Sequence, residues 1–214
     1  MKELLDFIYP PVCSICGKLD KNSICKKCEI MLNRQAIFGI DDYSRKIRYF
    51  SEHIYIFKYD GEIRKMLLNY KFNDKPYIYN TFVNFFKKNE KIFIQIKKYD
   101  IIIPVPISKK RFKERGYNQS ELIARKIAKY AGIKYANNVL IKTKNNIAQS
   151  LLEEQNREEN VKGVYKLNCS KKIKNKNILL IDDIYTTGST VNECSKILKD
   201  ADVNKIGIFT LAKD

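Results

Sequence analysis

Residues 177 to 190 read NILLIDDIYTTGST. Ile178 to Ile181 form a short apolar run with β-branched residues, which predicts a strand buried on both faces. Asp182 and Asp183 end that run. After Ile184 and Tyr185, Thr186, Thr187, Gly188, Ser189 and Thr190 make a small, hydroxyl-rich turn. A helix is predicted from Thr190, with Val191, Cys194, Ile197 and Leu198 at helical spacing. A strand that stops at paired carboxylates and turns into a helix N-terminus presents free backbone N–H groups and the positive end of a dipole, which together hold a phosphate. The turn hydroxyls can donate to the same oxyanion, and the two carboxylates behind can accept from vicinal sugar hydroxyls or sit near Mg²⁺. A sugar phosphate fits. The plainer alternative is an ordinary strand–turn–helix corner with a capping Thr.

The chain around this corner has 214 residues, room for one full-sized domain and a small appendage. With 44% hydrophobic and 30% charged residues it reads as globular rather than disordered. The net charge of +17 attracts polyanions, whether nucleic acid, anionic lipid or phosphorylated small molecules. Abundant Lys, Asn, Ile and Tyr give the alternative of compositional drift, and the two explanations stay level. The start, MKELLDFIYPP, has an apolar patch too short for a signal-peptide core, and no run approaches membrane-spanning length. A cytoplasmic protein without membrane insertion is expected, with cysteines reduced or metal-bound rather than paired.

Two CxxC pairs, Cys13/Cys16 and Cys25/Cys28, lie eight residues apart after Pro10 and Pro11. Each sets two thiolates on one tight knuckle, and two knuckles complete a tetrahedral site suited to structural Zn²⁺, with no position left for water. Free or redox cysteines are the alternative. Residues 36–48 carry weak patterning and read as a loop. Strands are predicted over Glu52–Phe57, Ile101–Pro106, Tyr135–Lys142 and Val161–Leu167, and Lys205–Ala212 closes the sheet as its last strand; helices are predicted at Leu4–Ile8, Glu62–Tyr70, around Tyr79–Lys88, and from Ser120. Basic residues crowd a predicted loop over Ser108–Gln119, and residues 143–160 read as a polar lid. The single histidine, His53, excludes Ser-His-Asp and HExxH chemistry, and the glycines make neither a dinucleotide fingerprint nor a Walker loop. Alternating strands and helices imply an α/β fold with a parallel sheet.

The 178–190 string resembles the phosphoribosyl diphosphate (PRPP) loop of the type I phosphoribosyltransferases: an apolar run, two acids, three variable residues, then T-G-x-T. Pro10-Pro11 with the four cysteines, Pro104-Val105-Pro106, Arg115-Gly116-Tyr117-Asn118-Gln119, and Gln149-Ser150 through Arg157, Asn160-Val161, Gly163 and Tyr165 resemble the ComF-type competence proteins of that superfamily. The resemblance implies a type I phosphoribosyltransferase fold over residues 49–214 behind an N-terminal helix and zinc-ribbon-like knuckle over residues 1–48. It further implies a role in natural transformation, handling incoming single-stranded DNA, with a competence helicase or the DNA-uptake machinery as partner. Nucleotide salvage unrelated to DNA uptake is the alternative. By resemblance Asp182 and Asp183 hold the ribose hydroxyls and Mg²⁺, Thr186, Thr187, Gly188, Ser189 and Thr190 hold the 5′-phosphate, and the loop from Pro106 to Arg115, with Lys109 and Arg115, faces the diphosphate. Arg157 belongs to a flexible loop over the ligand. Purine phosphoribosyltransferases place a carboxylate where this chain has Thr186, so no general base is evident and the acceptor stays open.

Overall fold

The computed structural model describes residues 12–13, 15–22, 24–72, 78–144, 156–169 and 172–214, with the side chains of residues 72 and 156–158 outside the description. In chain order it contains α1 (Lys26–Gln35), β1 (Ala36–Asp42), β2 (Glu52–Lys58), α2 (Gly61–Phe72), α3 (Ile78–Lys87), α4 (Glu90–Ile96), β3 (Ile101–Pro104), α5 (Lys109–Arg115) and α6 (Gln119–Ala131). It continues through β4 (Lys134–Tyr135), β5 (Leu140–Lys142), α7 (Asn156–Val161), β6 (Tyr165–Leu167), β7 (Asn177–Ile181), β8 (Ile184–Tyr185), α8 (Ser189–Lys199) and β9 (Lys205–Lys213). The main sheet runs β1-β2-β9-β7-β3-β4, with β8 pairing β9. Every pair in it is parallel except β1 with β2. A separate antiparallel pair joins β5 to β6. The architecture is α/β with a mostly parallel sheet, as expected.

Alternation along the strands sorts side chains into two cores, one on each face of the sheet. Leu179, Ile181, Ile102, Phe209 and Leu211 face a core with Phe82, Phe86, Ile123 and Ile127 from α3 and α6. Ile178, Leu180, Ile103, Ile206 and Ile208 face the other, with Val191, Cys194 and Leu198 from α8. This is why the 178–181 run has no polar position: both its faces are covered. Among the described residues no helix is long and apolar enough to cross a membrane.

Five stretches differ from the sequence expectations; one is Val161–Leu167, where Val161 ends α7 and only Tyr165–Leu167 is strand. Residues 36–42, expected as loop, form the antiparallel edge strand β1. A register shift between Ala36 and Gly39 and a positive φ at Phe38 erase the two-residue period that reveals a strand. The basic stretch after Ser108 is a helix, α5; the Ser108 hydroxyl accepts from Arg111 N–H at 3.3 Å, and Gly116 at φ +72 ends the helix in the left-handed region. Tyr135–Lys142 is split, with Lys134–Tyr135 on the edge of the main sheet and Leu140–Lys142 in the small one. Lys205–Lys213, last in the chain, lies inside the sheet between β2 and β7. The expected helix at Leu4–Ile8 and most of the polar lid, 145–155, lie outside the described residues.

Candidate functional site

The carboxyl ends of β3 and β7 and the N-termini of α6 and α8 converge on a cavity of about 310 Å³. Asp182, Asp183, Thr186 and Thr190 line it from the β7–α8 connection, Arg111 and Arg115 from α5, Lys71 from the end of α2, and Lys142 and Tyr165 from the small sheet. Crevices outside parallel strand ends are where this architecture places ligands.

The turn itself is tightly held. Gly188 sits at φ +76 as the residue capping α8, and no side chain caps that helix. The Thr187 and Ser189 hydroxyls lie 2.6 Å apart, and Ser189 N–H donates to Thr187 Oγ1 at 3.3 Å. Behind Gly188 lies the Tyr185 ring, stacked at 4.3 Å on His53 and edge-on to Phe50. His53 is fully buried, and burial lowers it to about 3. It stands 2.8 Å from Thr210 Oγ1, whose own proton goes to the Ala212 carbonyl. His53 thus donates through Nε2, and its role is to back the turn.

The twin acids are electrostatically strained. Burial and the neighbouring Asp183 raise Asp182 to about 7, against Lys71 and hydrogen bonds from Asp183 N–H and the Ser120 hydroxyl, both 2.9 Å from Oδ1. A neighbouring like charge raises a buried acid, and a nearby cation opposes the rise. Lys71 Nζ supplies one, 2.9 Å from Asp183 Oδ2. Across the cavity, burial and Arg111 bring Lys142 down to about 8, with Cys194 and Asp182 opposing. Its ammonium lies 3.4 Å from the Tyr165 hydroxyl, and Tyr165 in turn meets Thr190. Arg115 is pushed down by burial and pulled up by Asp183.

Arg115 to Gln119 turn out to be as much scaffold as ligand surface. Tyr117 donates to the Tyr70 carbonyl at 2.6 Å, Tyr70 to the Gln119 carbonyl at 2.8 Å, and Gln119 Nε2 to the Lys71 carbonyl at 3.5 Å. Asn118 donates to Val105 O at 3.0 Å and caps α6 by accepting from Ser120 N–H. These bonds fasten the end of α2 to the start of α6 beside Asp182.

Of the residues expected at the site, Asp182, Asp183, Arg115, Thr186 and Thr190 line the cavity. Gly188 and Ser189 border an adjoining niche with Thr186 and Thr190. Thr187 shapes the turn through its hydroxyl. Lys109 is on the exposed side of α5, where Arg111 takes the inward position. The Arg157 side chain lies outside the described residues. Arg111, within the loop expected to face the diphosphate, also lines the cavity, as do Lys71, Lys142, Tyr165 and Ser120, to which the sequence assigned no ligand role; a helix-end lysine or a strand lysine carries no distinguishing pattern in so basic a chain.

The Sγ atoms of Cys13, Cys16, Cys25 and Cys28 all lie within 4.8 Å of one another, with Cys16 and Cys25 3.8 Å apart. A tetrahedron with Zn–S bonds of about 2.3 Å has edges of about 3.8 Å, so the cluster can hold such an ion. Gly17, at φ +73, turns the first knuckle and donates to the Cys13 carbonyl at 2.9 Å. Burial raises Cys13, but backbone N–H groups of Cys16, Cys25 and Ile15 outweigh it and bring the thiol to about 7. Burial and the other three thiols push Cys28 well up. Leu32, one turn beyond, is buried in the core under β2, and Lys88 of the main body pairs with Glu29 of α1.

Residues 117–214 match the family model of the phosphoribosyl transferase domain. Competence protein F of Haemophilus influenzae is 27% identical over 211 residues, 90% of this chain and 91% of that protein. Competence protein ComFC of Bacillus subtilis is 25% identical over 210 residues, 94% of this chain and 78% of that one. DNA utilization protein YhgH of Escherichia coli is 29% identical over 99 residues, 46% of this chain and 43% of that protein.

Proposed function

We propose that this chain, a member of the ComF-type phosphoribosyltransferase-like proteins, binds PRPP with Mg²⁺ in the cavity at the end of β7 and acts in DNA uptake during natural transformation. The observation that carries the ligand is the convergence, in one cavity, of a helix N-terminus, hydroxyls, twin acids and three arginines, Arg64, Arg111 and Arg115. The turn from Thr186 to Thr190 receives the 5′-phosphate through backbone N–H groups and hydroxyls. Asp182 and Asp183 accept from the ribose hydroxyls. Arg111, Arg115 and Lys142 surround the diphosphate; guanidinium groups suit it because they bind phosphate oxygens in pairs. The donor set fits Mg²⁺, since two carboxylates offer hard oxygens to an ion that keeps several waters. When bound, the ion neutralises charge on the departing diphosphate. The protein's own groups then need only orient C1 and shield it, because an oxocarbenium-like centre is helped most by stabilising the leaving group.

The DNA-handling part of the reading draws on the relatives' names and on charge. The chain carries +17, and Lys109, Lys110 and Lys113 lie exposed beside half-exposed Phe112 on the outer side of α5. Zinc in the four-cysteine cluster is structural. Calorimetry of PRPP with Mg²⁺ tests the core of the proposal: one site per chain is expected, lost in Asp182→Asn/Asp183→Asn. Undiminished binding in that variant removes the assigned site. Diphosphate release in an acceptor screen, with and without single-stranded DNA, then separates a transferase from a binder. Affinity for single-stranded DNA that is absent or independent of salt removes the DNA role.

A further inference from the structure

Lys71 has no part in the sequence reading of the site, yet its ammonium is 2.9 Å from Asp183 Oδ2 inside the cavity. This is not a casual surface pair. Asp183 is only 9% exposed and Lys71 26%. The last turn of α2 that carries Lys71 is bolted in place by Tyr117 on the Tyr70 carbonyl, Tyr70 on the Gln119 carbonyl and Gln119 on the Lys71 carbonyl itself. Ser120, the residue after this clamp, donates to Asp182. One short segment therefore sets both the acid pair and its counter-ion.

We infer that Lys71 is a tethered counter-ion that occupies the cation position at Asp183, so that this ammonium and a divalent ion exclude one another there. The inference rests on the reading of Asp182 and Asp183 as the cation-facing acids of the phosphoribosyl site. The chemistry is a competition for one oxygen. An ammonium neutralises a carboxylate without the octahedral water shell that Mg²⁺ requires, and it is present at fixed local concentration because α2 is clamped. The empty protein therefore keeps its acids paired without metal. A divalent ion that ligates Asp183 must expel Lys71, which is then released toward the ligand's anionic groups.

Mn²⁺ serves as the probe, counted by electron paramagnetic resonance of the free ion on the zinc-loaded full chain with no phosphoribosyl ligand. Lys71→Met is expected to bind Mn²⁺ at least about tenfold more tightly than the native chain. Lys71→Arg, which keeps the charge, stays at the native value, and adding Asp183→Asn to Lys71→Met abolishes the gain. A Lys71→Met variant no tighter than native, or a gain that survives Asp183→Asn, overturns the inference. The native chain offers an independent check: saturating Mn²⁺ should speed acylation of Lys71, read by peptide mass, and an unchanged rate counts equally against it. Because these measurements omit PRPP, a failure here is distinct from a failure of PRPP to bind.

Discussion

Gly188→Ala is the perturbation whose cost follows most directly from the coordinates. Gly188 sits at φ +76, and an added Cβ would lie 2.5 Å from Tyr185 Cζ. The left-handed conformation costs an alanine roughly 1–2 kcal/mol. The overlap adds roughly 1–3 kcal/mol, the usual range for forcing a methyl into filled space. Tyr185 has little room to yield, since His53 is stacked on it at 4.3 Å and Phe50 stands edge-on at 6.4 Å. The total, roughly 2–5 kcal/mol, lowers the melting temperature by about 4–20 °C for a chain of this size. It also moves the turn, so calorimetry should show PRPP affinity falling with stability. A double-mutant cycle separates the two contributions. In a Tyr185→Ala background the ring is gone, and Gly188→Ala should cost only the backbone part, roughly 1–2 kcal/mol. An equal penalty in both backgrounds refutes the idea that the Tyr185 ring fixes this turn, and no penalty in either refutes the backbone argument as well.

Asp182 and His53, both buried, give opposite pH dependences. Asp182 rises from 3.8 to about 7 on folding, so its contribution to stability is present at low pH and is lost as pH rises through about 7. His53 falls from 6.5 to about 3, so its contribution is lost as pH drops below about 6.5. The slopes oppose one another in the shared window. Urea midpoints of His53→Phe should therefore decline as pH rises from about 4 to 7, while those of Asp182→Asn should climb, and parallel profiles contradict both assignments. Removing the metal from the four-cysteine cluster with a chelator should release one Zn²⁺ per chain and lower the melting temperature, since Leu32 on the same helix belongs to the main core. Lys142→Met should leave stability within about 1 kcal/mol, because a half-buried ammonium is itself costly, yet weaken PRPP binding about tenfold. Equal binding would remove Lys142 from the diphosphate surroundings.

The central corner was legible because two independent constraints act on adjacent residues there. A strand covered on both faces must be continuously apolar, and a tight turn into a helix takes small residues, one of them Gly188 at φ +76, so 178–190 reads plainly as strand, turn and helix. The four cysteines were legible because two CxxC pairs at short separation bring thiols together, and all four sulfurs lie within 4.8 Å of one another. β1 was hidden by its bulge at Ala36–Gly39, which breaks the period on which strand reading depends. α5 was hidden because its basic residues were weighed as charge, while the helix signals at Ser108 and Gly116 lay at its two ends. Lys71 and Lys142 reach the cavity only through tertiary placement, one by the clamp between Tyr70, Tyr117 and Gln119 and the other by the β5–β6 pair. No local pattern marks either residue.

The most direct measurement is a crystal structure of the chain soaked with PRPP and Mg²⁺. The account predicts the 5′-phosphate within hydrogen-bonding distance of the backbone at Thr187–Thr190, with the ribose hydroxyls toward Asp182 and Asp183. Phosphate bound elsewhere, with that turn vacant at saturating ligand, contradicts it.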